Sequence, residues 1–181
     1  MTNQRIILTG GPGSGKSTLI DALSQRGYAC STEAGRAIIQ EQVATGGNAL
    51  PWEDRQAFAE RMLSREICAW QRAGSAETAY FFDRGIPDVA GYLTLCQLPV
   101  PAHLERAIAH FRYAERVFIA PPWREIYAQD TERRQSFAEA EMTYWIMRAT
   151  YQQYGYRLLE LPRAPLEERV SFMLATLRHA G

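Results

Sequence analysis

The sequence predicts a three-layer α/β domain, a parallel sheet covered by helices on both faces. Short apolar runs at 5–9, 28–32, 79–82, 116–120 and 156–161 alternate with longer stretches of helical period. Strands separated by helices imply parallel crossovers. The run at 79–82 is unbroken by any charge until Asp83, as expected of a strand buried on both faces. A glycine-rich turn joins the first run to the first helical stretch, and this is where the chain carries its most specific pattern.

The elements follow in order. The strand at 5–9 leads into a helix at 16–25 that stops before Gly27, a residue suited to ending helices. A short strand at 28–32 precedes a helix at 34–45, broken by Gly46, Gly47 and Asn48. After Pro51, the stretch 52–73 places Ala59, Met62, Leu63, Ile67 and Trp70 on one helical face, read as core contacts. A helix at 86–95 follows the third strand, and Pro101 opens another, with Leu104, Ile108 and Phe111 on one face. The strand at 116–120 ends at Pro121 and Pro122, and the polar segment 123–135 has no clear period and reads as a mobile element. Ser136 and Glu139 form a capping box for a helix reaching about Gly155. A fifth strand precedes a last helix opened by Pro165, with Leu166, Val170, Leu174 and Leu177 on its stripe.

Composition excludes several classes. At 181 residues, 46% hydrophobic and 22% charged, the chain suits one globular domain spanning 1–181 and not a disordered segment. Its formal net charge is zero, so no global field draws it to nucleic acid or to acidic membranes. No apolar stretch approaches the roughly 18 residues of a membrane span, and the N-terminus leads straight into the first strand; a cytoplasmic location is expected. Cys30, Cys68 and Cys96 are odd in number and widely spaced, with no C-x-x-C pair, so neither a disulfide framework nor a zinc site is implied. Buried free thiols are expected. Oligomeric state is not readable, because no exposed apolar stripe stands apart from the core pattern.

Residues 5–19 read RIILTGGPGSGKSTL. Gly10, Gly15, Lys16 and Ser17 fall on the spacing G-x-x-x-x-G-K-[ST], the Walker A pattern, between a strand and a helix as it requires. In such a loop the backbone N–H groups of Gly10, Gly11, Pro12, Gly13, Ser14, Gly15, Lys16, Ser17 and Thr18, proline excepted, can turn around a polyphosphate, aided by the positive end of the following helix. Lys16 supplies a point charge for the outer phosphates, and the Ser17 hydroxyl is placed to ligate magnesium. All but one of the 20 basic residues are arginine, and the exception is Lys16. A compact ammonium is kept where a planar fork would fit poorly.

The first three strands all end in groups that phosphoryl transfer can use, and parallel strands bring those ends to one edge. Asp83 fits a magnesium-holding acid, or alternatively an N-cap for the helix that follows. Arg84 either binds an anion or pairs with Glu33 or Asp88. Glu33 sits where a general base could take a hydroxyl proton, or where a first-turn glutamate favours the helix dipole. Arg36 either anchors substrate or lies on the surface. Asp130, Arg133 and Arg134 either form an arginine-bearing lid, within about 123–135, that stabilises the transferring charge, or are a solvated charge run. Trp52 and Tyr92 could stack on an acceptor ring, with core packing the plainer duty.

With the glycine loop, TEAGR at 32–36, FDRGIPDVAGY at 82–92 and DTERRQSFAEAE at 130–141, the chain resembles the P-loop domain family, often labelled AAA ATPase, that includes the ribosylnicotinamide kinase domain. The resemblance runs through GYRLLELPRAPLEER at 155–169. More distantly it is similar to deoxynucleoside and nucleoside monophosphate kinases. That resemblance implies a P-loop NTPase fold with a five-stranded parallel sheet in the order 2-3-1-4-5, Glu33, Asp83, Arg84 and the lid arginines on matching positions, and residues 162–164 beside the adenine. It implies ATP and Mg2+ as cofactors and a small-molecule phosphoryl acceptor, hydroxylated and nucleoside-like. Asp83 is followed by Arg84 and not by the second acid of hydrolytic machines, which favours transfer to a bound acceptor. The alternatives are a nucleotide-dependent regulatory ATPase or switch with a protein partner, and a domain that holds nucleotide without chemistry.

Overall fold

The computed structural model describes residues 3–75, 77–127 and 136–179. Its sheet contains β1 (Arg5–Gly10), β2 (Ala29–Ser31), β3 (Tyr80–Asp83), β4 (Arg116–Ala120) and β5 (Arg157–Glu160) in the order β2-β3-β1-β4-β5. All neighbours are parallel. The helices are α1 (Lys16–Gln25), α2 (Ala34–Thr45), α3 (Arg55–Arg72), α4 (Ile86–Leu95), α5 (Ala102–His110), α6 (Arg124–Tyr127), α7 (Phe137–Gln153) and α8 (Leu166–Arg178). This is the P-loop NTPase architecture, with the expected strand order.

The period of two along β1 builds a core on each side. Ile7 packs with Phe82, Ile86, Val89, Leu104 and Tyr151 under α3, α4, α5 and α7. Ile6 and Leu8 pack with Leu19, Phe81, Phe118, Val170 and Met173 under α1 and α8. Side chains removed from water this fully contribute roughly 1.5–3 kcal/mol each. The central strand is therefore held from both sides, and its carboxyl end is a rigid platform. Leu8 is in register with Asp83, and Gly10 with Ala120.

Local signals set most helix starts. Glu139 N donates to Ser136 Oγ and Ser136 N to Glu139 Oε2, each at 3.2 Å, closing the capping box. The long third helix begins at Arg55 and not at Trp52, because the Asp54 carboxylate accepts from Ala57 N at 3.0 Å and so fixes the N-cap. Trp52 falls in the preceding turn and is 56% exposed, so core packing is not its role. Tyr92 does pack, edge-on against Phe58 at 5.5 Å.

The cysteines depart from expectation. All three are free, but Cys68 is exposed and Cys30 and Cys96 are only half-buried. Cys68 lies on the solvent side of α3, with Arg61, Arg65 and Arg72 also exposed. Among the described residues no helix is long and apolar enough to cross a membrane. Of the polar segment, residues 124–127 form α6, whereas Asp130, Arg133 and Arg134 lie outside the described residues.

Candidate active site

The loop between β1 and α1 wraps around its own lysine. Lys16 Nζ donates to Gly11 O at 2.8 Å and to Ser14 Oγ at 3.4 Å, and Ser14 Oγ donates to Gly11 O at 2.8 Å. Three glycines of the loop are required by the space around them: at Gly10, φ is +136° and a Cβ would stand 2.5 Å from Ala120 O. A Cβ on Gly11 would stand 2.5 Å from Ala140 O of α7, and Gly15 has φ +85° with a guanidinium nitrogen of Arg169 2.7 Å from where its Cβ would be. Pro12 and Gly13 are half-buried, while Ser17 and Thr18 are exposed in the first turn of α1. Burial, with Arg84 nearby, pulls the Lys16 ammonium down to about 8, against the opposing pull of Asp83, Glu33 and Asp88.

Those same groups show that the strand ends converge. Asp83 closes β3 and is 3% exposed, and its Oδ1 has no hydrogen-bond partner. Burial pushes its carboxyl up despite Lys16 and Arg84 beside it. Asp83 does not cap α4. That duty falls to Gly85, whose N–H donates to Asp88 Oδ2 at 2.9 Å. A buried carboxylate oxygen left without a donor fits a hard cation such as Mg2+ held by few protein oxygens. Among the described residues no cluster of three His, Cys, Asp or Glu side chains forms a cage. The remaining ligands of such a cation would be phosphate and water.

Arg84 is held by strain and charge. Its φ of +69° is left-handed, which costs a non-glycine residue on the order of 1–3 kcal/mol. Its backbone N–H donates to Leu8 O at 2.9 Å. The guanidinium lies between Glu33 Oε1 at 4.0 Å and Asp88 Oδ1 at 3.5 Å. Pairing with both acids is therefore what the geometry shows. Asp88 is itself saturated: it accepts from Thr9 Oγ1 at 2.5 Å, from Gly85 N and from the Tyr151 hydroxyl of α7. Burial and Asp88 push the Tyr151 phenol well up, keeping it a donor. This network ties β1, α4 and α7 together behind Arg84.

The structure thus brings Lys16, Glu33, Asp83 and Arg84 to one edge of the sheet. Arg36 is exposed on α2. Two buried charges escape a reading of the sequence. Glu66 of α3 is 5% exposed with Oε2 unpartnered; it sits among Ala59, Leu63 and Trp70, and an acid inside an apolar stripe was the available signal. Arg169 of α8 is also 5% exposed, its Nη1 3.5 Å from Ser14 O, its Nε unpartnered and its guanidinium 5.6 Å from the Trp123 ring. It props the glycine loop from outside.

Two cavities flank this edge. One of about 410 Å³ is bounded by the loop after β4, by α7 and by Arg163, and includes none of the four converging residues. The other, about 220 Å³, lies between the end of β2, the start of α2 and α3, and reaches Glu33 and Glu66.

A family model described as an AAA domain matches residues 5–169. No curated protein matches the chain. Among solved structures, deoxyadenosine kinase from M. mycoides with dCMP and dCDP bound is 14% identical with a TM-score of 0.71, over 97% of this chain and 99% of that one. The NadR protein in complex with NR is 17% identical with a TM-score of 0.75, over 98% of this chain and 51% of that one. Thymidylate kinase from Candida albicans is 12% identical with a TM-score of 0.64, over 99% and 92%. At these identities the likeness is one of fold. The family match covers almost the whole described chain, from the first strand to Arg169, and the chain belongs to the AAA domain family with a P-loop kinase-like fold.

Proposed function

We propose that this protein is an ATP- and Mg2+-dependent phosphotransferase, acting as a single domain on a small hydroxylated, nucleoside-like acceptor. The observation that carries the reading is the meeting of Lys16, Glu33, Asp83 and Arg84 at the carboxyl edge of the sheet, next to a complete glycine loop. The loop amides and Lys16 would cradle the phosphates, and Ser17 and Asp83 would hold magnesium, which when bound neutralises phosphate charge. Glu33 takes the proton from the acceptor hydroxyl. The acceptor oxygen bonds to the terminal phosphorus as the bond from that phosphorus to ADP breaks. Arg84, fixed by Asp88, faces the charge on the phosphoryl oxygens. Arg133 and Arg134 are proposed to join it.

The names of the similar structures, kinases of a nucleoside and of a nucleotide, support this class of acceptor. So does Arg84 in the place where a hydrolytic site would carry a second acid. Incubation with ATP, magnesium and a metabolite pool, followed by mass spectrometry, tests it. A phosphorylated small molecule is expected; slow ATP hydrolysis with no acceptor product, together with nucleotide-dependent capture of a protein, would favour a regulatory switch instead.

Two variants refine the assignment. Glu33→Gln is expected to slow transfer about a hundredfold, roughly 3 kcal/mol, while ATP still binds. An unchanged rate would remove Glu33 from the role of base. Arg169→Ala is expected to weaken ATP binding about tenfold, or ~1.4 kcal/mol, by freeing the Ser14–Gly15 peptide, with little change in kcat. Equilibrium dialysis against kinetics at saturating ATP separates the two effects.

A further inference from the structure

Glu66 is a costly residue with no part in the chemistry above. It lies on the buried face of α3, where leucine would pack, and its Oε2 has no partner. Burying a polar atom unpaired costs on the order of 1–3 kcal/mol, so structure alone gives no reason to keep it. Glu66 lines the cavity of about 220 Å³ that Glu33 also lines. The acid assigned to proton removal and the orphaned acid therefore share one chamber at the end of β2.

The surrounding charges limit what that chamber accepts. Asp88, Asp83 and Glu33 all act on Glu66 with like sign, against the single guanidinium of Arg84. Arg84 is already engaged by Glu33 and Asp88. The other cations bordering the cavity, Arg65 and Arg72, are on the exposed side of α3, and Arg65 is paired with Glu41. Among the described residues, the two arginines that line the cavity are both open to solvent, whereas Glu66 is buried. A phosphate brought there would lose its hydration and meet carboxylates. An uncharged ring with a hydrogen-bonding edge would instead satisfy the orphaned oxygen.

Resting on the phosphotransferase reading, we propose that Glu66 selects the acceptor, hydrogen-bonding the ring of an unphosphorylated hydroxyl compound while the acids around it turn monophosphates away. The protein is then a nucleoside-type and not a nucleotide-type kinase. With burial and the neighbouring carboxylates pushing its own carboxyl well up, Glu66 meets the ring as a neutral donor.

The test is a panel of nucleosides and their 5′-monophosphates, offered with ATP and magnesium to the wild type, Glu66→Leu and Glu66→Gln. The wild type is expected to favour a nucleoside over its monophosphate by about a hundredfold in kcat/KM. Glu66→Leu is expected to raise the acceptor KM about tenfold, to leave ATP affinity unchanged and to melt roughly 2–4 °C higher. Glu66→Gln, which keeps a donor, should recover most of the acceptor affinity. A wild type that prefers monophosphates, a leucine variant with wild-type acceptor KM, or a glutamine variant as impaired as the leucine one overturns the role of Glu66 while leaving the phosphotransferase reading intact. Transfer to no member of a broad panel would remove that reading and this one with it.

Discussion

Lys16→Ala is expected to slow phosphoryl transfer about a thousandfold and to weaken ATP binding, with the fold retained. No other residue can substitute, because the chain has no second lysine. Arginine should fail as well: Nζ sits 2.8 Å from Gly11 O inside the loop, a space for a compact ammonium and not a planar fork. The same burial that pulls the ammonium down to about 8 gives a pH signature. An unfolded lysine holds its proton to about 10.5, so between these values the unfolded chain binds more protons and this group makes stability rise with pH. Polyphosphate favours the charged form, so ATP binding above pH 8 should take up a proton, and affinity should fall as pH rises through that value. Calorimetry in buffers of different ionisation enthalpy would detect the uptake; a pH-independent affinity for ATP and full activity in Lys16→Ala would refute the assignment.

Asp83→Asn is the second large effect, a loss of about 10²–10³ in transfer rate. Its stability signature runs the other way. Burial outweighs Lys16 and Arg84 and pushes the carboxyl up, so the folded state penalises the ionised form at neutral pH, and asparagine removes that penalty. Without nucleotide the variant should melt no lower than the wild type. With ATP, the extra stabilisation that magnesium confers on the wild type should disappear. A variant still stabilised by magnesium and ATP together would mean that Asp83 does not hold the cation.

What could be read from the sequence was whatever local chemistry determines. The capping box at Ser136 and Glu139 and the glycine stop after α1 involve residues a few positions apart, and these boundaries appear as expected. The glycine loop is legible for the same reason, since strand, turn and helix are contiguous. Asp83 and Arg84 could be named because they come directly after the uncharged run at 79–82. Glu33 and Asp88 could be named as partners of Arg84 and both pair with it, but the bonds of Thr9 and Tyr151 to Asp88 could not be foreseen, because these residues meet only through the sheet and α7. Glu66 and Arg169 were hidden by the stripes that contain them: a helical face dominated by apolar residues reads as core, and one charged residue within it changes its meaning only when burial is known. Trp52 and the cysteines failed in the opposite sense. Their side chains are apolar enough to suggest burial, but a turn set by Asp54 and the outer face of α3 leave Trp52 and Cys68 in water.

The most direct test of the account is a crystal structure with magnesium and a non-hydrolysable ATP analogue. The triphosphate should lie within the amides of residues 10–18, with the metal against Ser17 Oγ and the side of Asp83, and with Glu33 and Arg84 facing the terminal phosphate. A nucleotide bound elsewhere, or a terminal phosphate turned away from Glu33 and Asp83, would contradict it.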